Sequence, residues 1–184
     1  MKFLLPCAAL LSASPALASN WTLDRDASSV RIETTAFGRE VTGSFADFGA
    51  EIRLDPDDLD NARIEGRVEV ASGDTSNPQY NSEMTGNSGL DADNHPLATF
   101  VSETVTTSDA CPAGESDCYA ASGILTLAGN ARPADLLFRL VIVDERAAAD
   151  GVIIVNREEY GIGSGNWGGA AETVTVRLHI EATR

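Results

Sequence analysis

Polar and apolar residues alternate along much of the chain after residue 29. The alternation is clearest in segments 30–34, 64–70 and 174–181, where Val, Ile or Leu occupies most of the alternate positions. Successive side chains of a strand point to opposite faces of the sheet. This period of two therefore predicts strands with one buried face and one solvated face.

Six further segments resemble strands, and they are separated by residues that favour turns, such as Asp55-Pro56-Asp57 and Gly129-Asn130. They cover residues 41–45, 50–54, 98–105, 123–128, 134–143 and 151–156. Many short antiparallel strands are typical of a sandwich or a barrel. Because each strand has one apolar side, we expect an all-β, eight-stranded antiparallel barrel. Residues 73–95 break the pattern and predict one loop excursion, with a helical turn at 80–84.

The predicted interior of this barrel consists mainly of mid-sized aliphatic side chains. Barrels of about eight strands either fill their centre with side chains or hold one small ligand. Alternation alone favours the filled core, whereas an apolar cavity would favour a hydrocarbon chain over a polar ligand. The inward positions are Val30, Ile32, Val41, Phe45, Ile52, Leu54, Val68, Val70, Phe100, Leu136, Phe138, Leu140, Val174, Val176, Leu178 and Ile180.

The first 18 residues have the layout of a secretory signal peptide. Lys2 precedes an apolar run through Leu11, and small residues end in Ala16-Leu17-Ala18. The run is too short for a transmembrane helix, and no later segment approaches about 18 consecutive apolar residues. We therefore expect a signal peptide over residues 1–18 and one exported domain over residues 19–184.

Charge narrows the choice of partners. The chain has 13 basic and 28 acidic residues and a net charge of −15. This balance argues against a nucleic acid partner, whose phosphates require Lys and Arg, and against an anionic membrane surface. Lys2 is the only lysine, so the exported domain has none for Schiff-base chemistry or for a P-loop.

Two cysteines, Cys111 and Cys118, flank a turn-rich segment. An oxidising compartment favours a disulfide between them. A redox or zinc pair is the alternative, but the segment lacks C-x-x-C spacing and a nearby histidine.

Few residues are candidates for catalysis or metal binding. His95 lies in the loop excursion, and His179 falls on the outward face of the last strand. Asp91, Asp93 and His95 occupy every second position from residue 91 to residue 95 of this loop, and they form the one candidate metal site. Gly163–Gly168 matches G-x-G-x-x-G, but it leads into a strand rather than a helix, which indicates a loop at the mouth of the sheet. We expect no catalytic residue and no metal site.

Motifs spread along the chain, in order, resemble those of the YceI-like family. No single motif is strong, but their order over Trp21–Ala182 is specific. The matching residues include Trp21-Thr22-Leu23-Asp24, Val41-Thr42-Gly43-Ser44-Phe45, His95-Pro96 with Thr99-Phe100, Gly123–Gly129, and Arg157 with Tyr160-Gly161-Ile162.

This resemblance implies a lipocalin-like barrel that is exported, typically to the periplasm, and is not an enzyme. It implies no cofactor, and a polyisoprenoid or similar long amphiphilic lipid as the ligand inside the barrel. A homodimer is compatible with it. The expected ligand-binding residues are Val30, Ile32, Phe45, Ile52, Val68, Phe100, Phe138, Leu140, Tyr160, Trp167, Val176 and Leu178.

The sequence departs from the family pattern where contacts to a ligand head group would be expected. Ala27 and Ala36 stand where the family usually has histidine, and Gly89 and Leu90 stand where it has paired aromatics. The arginine of the family's "rD" segment has no clear match near residues 79–82. If those residues contact a ligand head group in relatives, that contact is altered in this chain.

Two functions other than lipid carriage remain at this stage. A barrel filled with side chains would instead be a stress-response or interaction module that binds protein partners through its acidic surface or its glycine-rich loop. A metal-dependent enzyme would use Asp91, Asp93 and His95.

Overall fold

A computed structural model describes residues 20–110, 117–164, 167 and 169–184. The predicted signal peptide lies outside these residues, so its presence stays a prediction. Within them the chain forms one short α-helix and ten strands, numbered here in chain order. They are β1 Asn20–Ala36, β2 Arg39–Phe45, β3 Phe48–Arg53, β4 Arg63–Glu69, β5 Gly73–Asp74, α1 Pro78–Thr85, β6 Leu97–Thr107, β7 Cys118–Leu127, β8 Asn130–Val143, β9 Arg146–Asn156 and β10 Thr173–Thr183.

The strands close into an eight-stranded antiparallel barrel. Strands β2 and β3 are two halves of one bent strand, since only Ala46 and Asp47 separate them and both pair with β1. Around the ring the order is β10, β9, β8, β7, β6, β4, β3/β2 and β1, and β1 pairs with β10 to close it. The two-residue strand β5 pairs with β2 outside this ring. The predicted barrel with one short helix is confirmed.

The two ends of the barrel differ in their connections. At the upper end lie the Phe37-Gly38 turn, segment 70–96 with α1, the Ala128-Gly129 turn and segment 157–172. At the lower end lie the start of β1, segment 54–62, the end of β6, the start of β7, the β8–β9 turn and the chain end. We call the two corresponding parts of the barrel the upper half and the lower half.

Each predicted strand segment overlaps an observed strand, and all of these observed strands except β4 are longer than predicted. Strand β1 begins ten residues before the predicted segment at residue 30, at Asn20. The register between β1 and β10 shifts between Asp24 and Ser29, which marks a bulge. A bulge interrupts the alternation of side chains, so the polar residues 24–29 gave no strand pattern.

Large side chains fill most of the lower half. Trp21 is 6% exposed, and its indole N–H donates to the Leu54 carbonyl oxygen at 2.8 Å. The rings of Tyr119 and Phe138 stack with centroids 5.5 Å apart. Leu140 is buried in the same cluster. Most of this half therefore has the close-packed interior of an ordinary globular core.

Candidate functional site

The upper half of the barrel encloses a cavity of about 400 Å³ beneath α1. Its wall comes mainly from apolar side chains of the strands, and α1 contributes Gln79, Tyr80, Glu83 and Met84. Several inward residues are only half-buried because they face this space rather than other side chains. They include Ile32, Val41, Val68, Val174 and Val176. The prediction of a completely filled core is therefore wrong for the upper half.

Nine of the twelve residues predicted from the sequence to contact a ligand lie on the wall of this cavity. They are Val30, Ile32, Phe45, Ile52, Val68, Phe100, Trp167, Val176 and Leu178. That they contact a ligand stays a prediction.

The other three predicted residues lie elsewhere. Phe138 and Leu140 line a second cavity of about 70 Å³ in the lower half. Tyr160 is 4% exposed and packs in the main hydrophobic core, lining neither of these cavities. Phe138 and Leu140 were misplaced because alternation identifies the face on which a side chain lies but not its height along the barrel axis. Tyr160 was misplaced because it ends a short 3₁₀ helix rather than lying on a strand.

Gly66 helps to explain why the upper half is hollow. It lies in the middle of β4, paired with Ala50 on β3 and Phe100 on β6, and it lines the cavity. A Cβ atom added at Gly66 would have no heavy atom within 4 Å. Glycine within a strand often marks a place where a ligand approaches the backbone. The Gly66–Ala50 pair therefore leaves room that larger side chains would occupy.

Helix α1 lies over the cavity, and its N-terminus is capped by a side chain. The Asn77 side chain accepts hydrogen bonds from the backbone N–H groups of Gln79 and Tyr80. Asn81 also binds the segment before the helix, since its side-chain amide donates to Asp74 at 2.8 Å. This hydrogen bond, with a second from the Ser76 backbone, lowers the pKa of the Asp74 carboxyl.

Met84 projects from α1 into the cavity wall and is 8% exposed. It packs against Phe45 in a second hydrophobic cluster. Methionine adapts its shape readily to irregular partners. Sequence reasoning missed Met84 because the excursion at 73–95 carries no periodic apolar pattern.

Arg157 organises the loop that forms another part of the wall. It is 5% exposed, and its guanidinium donates to the carbonyl oxygens of Ile162 at 2.7 Å, Ala171 at 2.9 Å and Ala170 at 3.2 Å. The same guanidinium lies 5.6 Å from the centre of the Trp167 ring. Arg157 therefore positions the segment that presents Trp167 to the cavity.

Trp167 depends on a glycine as well. Gly163 has a φ of +66°, and a Cβ atom added to it would lie 2.5 Å from the Trp167 ring. A side chain at residue 163 would therefore displace the indole. Gly165, Asn166 and Gly168 of the predicted glycine-rich loop lie outside the described residues, while Gly163 and Trp167 lie at the upper end, as expected.

Phe37 stands at the mouth of the cavity and is 73% exposed. Its backbone N–H donates to the Gly169 carbonyl oxygen at 2.7 Å, which joins the β1–β2 turn to segment 157–172. Polar side chains lie on the α1 side, where the Gln79 amide donates to Glu83 at 3.1 Å. The site can thus enclose an apolar chain and leave a polar end near α1.

The residues considered for metal chemistry do not form a site. Across the described ranges, no three His, Cys, Asp or Glu side chains gather where they could hold a metal ion. The Asp91 carboxylate instead accepts two hydrogen bonds from Asn94. His179 is on the outer surface, with Nδ1 2.7 Å from an Asp150 carboxylate oxygen.

Cys118 is buried at the start of β7. Its predicted partner, Cys111, lies outside the described residues, so the disulfide stays a prediction. In the part of the chain that the structure describes, no helix has the length and apolar character needed to cross a bilayer.

Three solved structures are similar to this barrel. BcnA of Burkholderia cenocepacia is 27% identical, with a TM-score of 0.78 over 88% of this chain and 100% of BcnA. A polyisoprenoid binding domain from Saccharophagus degradans, implicated in plant cell wall breakdown, is 16% identical, with a TM-score of 0.65 over 91% of this chain and 98% of that domain. The YCEI protein of Campylobacter jejuni is 18% identical, with a TM-score of 0.65 over 78% of this chain and 85% of that protein.

At such identities, the last two structures show a shared fold alone. A comparison with curated protein sequences gives no significant match. The sequence model of the YceI-like domain matches residues 21–182, which is nearly the whole described barrel. This chain therefore belongs to the YceI-like family.

Proposed function

We propose that this protein binds the apolar chain of a polyisoprenoid, or of a similar long amphiphile, in the upper cavity. The observation that carries the proposal is the apolar cavity of about 400 Å³ inside the barrel. Ligand pockets commonly have volumes of about 300–1,000 Å³. Membership of the YceI-like family and the similar fold of the Saccharophagus degradans polyisoprenoid binding domain support the same ligand class.

The binding energy would come from removing hydrocarbon from water. Each buried methylene contributes about 0.8 kcal/mol, so a long chain binds without a polar anchor. Phe45, Phe100 and Trp167 are among the aromatic side chains of the cavity wall that the hydrocarbon would contact. The chain would lie along the barrel axis, with its head group between α1 and Phe37.

The biological role that fits this chemistry is carriage or shielding of the lipid without catalysis. A chain of this kind is insoluble in water and needs cover outside the membrane. The predicted signal peptide and the family relationship support export to the periplasm, and the predicted Cys111–Cys118 disulfide suits that oxidising compartment.

The proposal is tested by filling the cavity from Gly66. In Gly66→Leu, the new side chain would occupy the space where the ligand is expected, and the backbone at this position accepts a Cβ without a clash. Glu65→Leu is the matched control, because it adds the same side chain to the neighbouring, outward position of β4. Both variants are stripped of lipid and titrated with geranylgeraniol, with native mass spectrometry as the readout.

We expect the wild-type protein and Glu65→Leu to bind one molecule with similar affinity. Gly66→Leu should bind at least about tenfold more weakly, which corresponds to about 1.4 kcal/mol. Equal affinity in Gly66→Leu, or no binding to the wild-type protein, would contradict the proposal.

A further inference from the structure

The two cavities of the barrel lie one above the other and share part of their walls. Both the upper cavity of about 400 Å³ and the lower cavity of about 70 Å³ are lined by the same five side chains. We call this group the waist; its members are Ile52, Ile64, Leu136, Leu178 and Ile180. A thin layer of side chains, with no backbone across it, therefore separates the two spaces.

The waist is built from opposite sides of the barrel. Ile52 and Ile64 are paired neighbours on β3 and β4. Leu136 comes from β8, which lies halfway around the ring from β3. Leu136 is 6% exposed, and one of its methyl groups lies against Gly151, where an added Cβ would be 2.9 Å away. The inward side chains of the waist thus close the barrel between the two cavities.

The lower cavity exists because small residues face it. Ala147, Ala149 and Ala182 line it, together with Gly151. It is smaller than the cavity of about 150 Å³ that holds one benzene molecule in another protein, so it suits only the tip of an aliphatic chain. Empty apolar cavities of this kind stay dry and destabilise the fold.

We propose that the waist sets the length of the chain that the barrel accepts. This inference rests on the proposed function. A tail entering from the upper end would run down to the waist and stop there. Carbons beyond that point remain outside the cavity, and each methylene left in water forgoes about a fourfold gain in affinity. The lower cavity is the space that becomes available when the waist is opened.

The test compares prenols of two to six isoprenoid units, from geraniol upwards, by competition measured with native mass spectrometry. In the wild-type protein, affinity should rise with length and then reach a plateau. Leu136→Ala joins the two cavities, so affinity should go on rising for about one more isoprenoid unit before it reaches the plateau. The first prenol longer than the wild-type limit should bind about tenfold more tightly to this variant than to the wild-type protein. Leu137→Ala is the matched control, because Leu137 is the next residue of β8 and faces outwards.

A double variant, Leu136→Ala with Ala149→Leu, refills the lower cavity below the opened waist. It should restore the wild-type plateau, since Ala149 lines only the lower of the two cavities. If Leu136→Ala does not fold, Ile64→Val is the milder variant and should shift the plateau in the same direction by less.

Two outcomes would overturn the inference, and a third would overturn the proposed function. The inference is wrong if a folded waist variant reaches its affinity plateau at the same prenol length as the wild-type protein. It is also wrong if the double variant keeps the longer plateau of Leu136→Ala. Binding of no prenol by the wild-type protein would instead overturn the proposed function itself. The two failures are therefore distinguishable.

Discussion

The upper and lower halves of this barrel share the same strands and the same alternation, yet the upper half holds a cavity of about 400 Å³ and the lower half one of only about 70 Å³. In the lower half Trp21, Tyr119 and Phe138 belong to one buried hydrophobic cluster and are each less than a tenth exposed. In the upper half Gly66 has no side chain, and Val176 is half-buried and faces the cavity. How completely the inward side chains fill the space between opposite strands, rather than their polarity, decides which half can hold a ligand.

This difference divides stability and binding between the two halves. Side chains that face an empty space lose the dispersion contacts that a packed core provides. The lower half should therefore contribute most of the free energy of folding. The upper half forgoes some packing and keeps the space that an apolar chain can fill.

The largest expected effect is a loss of stability when a large side chain is removed from the lower half. Trp21→Ala should destabilise the protein by about 3–5 kcal/mol, because it removes a large buried ring and the hydrogen bond to Leu54. Ile32→Ala in the upper cavity should cost about half as much or less, since that side chain already faces empty space. Urea unfolding of the ligand-free variants measures both. Equal losses would contradict the division between the two halves.

Arg157 should have the next largest effect. In Arg157→Lys, the single ammonium group cannot match the three carbonyl oxygens that the guanidinium fork binds. Leaving buried carbonyl groups without donors should cost about 2–3 kcal/mol and weaken ligand binding, because the segment with Trp167 loses its support. Arg132→Lys, on the exposed start of β8, is the control and should change little. A stable, fully binding Arg157→Lys would show that the guanidinium does not position this loop.

The smallest effect concerns pH, and one tyrosine in each half should contribute to it. Burial raises the pKa of the Tyr119 phenol in the lower half, with a further contribution from Asp117. Burial also raises the pKa of Tyr160 at the upper end, with a further contribution from Glu159. The unfolded chain then releases these protons at a lower pH than the folded chain.

The stability that these two tyrosines contribute should be fully present below about pH 10, which is the ordinary tyrosine pKa. It should be lost as the pH rises from there through their pKa values in the folded protein. Urea unfolding at several pH values around this point measures the slope. Tyr119→Phe and Tyr160→Phe should each make the decline shallower. A slope unchanged in both variants would exclude them as its source.

The sequence was sufficient to predict the barrel because alternation fixes which side chains face inwards. It did not distinguish the two halves, since Phe45 and Phe138 are both predicted to face inwards, whereas Phe45 lines the upper cavity and Phe138 the lower one. Whether inward side chains meet depends on which residues lie at the same height on opposite strands. That height is set by the strand register, including the β1 bulge between Asp24 and Ser29.

Two parts of the candidate site depend on tertiary contacts that no local pattern reveals. Met84 lies on a helix of only eight residues, which is too short to show an apolar stripe. Arg157 entered the sequence argument only as a residue shared with the YceI-like family. Its role in holding the Trp167 segment follows from hydrogen bonds to residues 5 to 14 positions away in sequence.

The central claim, that the upper half of the barrel holds a lipid chain, is tested most directly on the protein as its own cells make it. Native mass spectrometry of protein purified without detergent should show one population heavier than the polypeptide by one lipid. Organic extraction should release that lipid and leave the bare chain. A bare polypeptide in every such preparation, with no rise in the melting temperature on adding a prenol, would contradict the account.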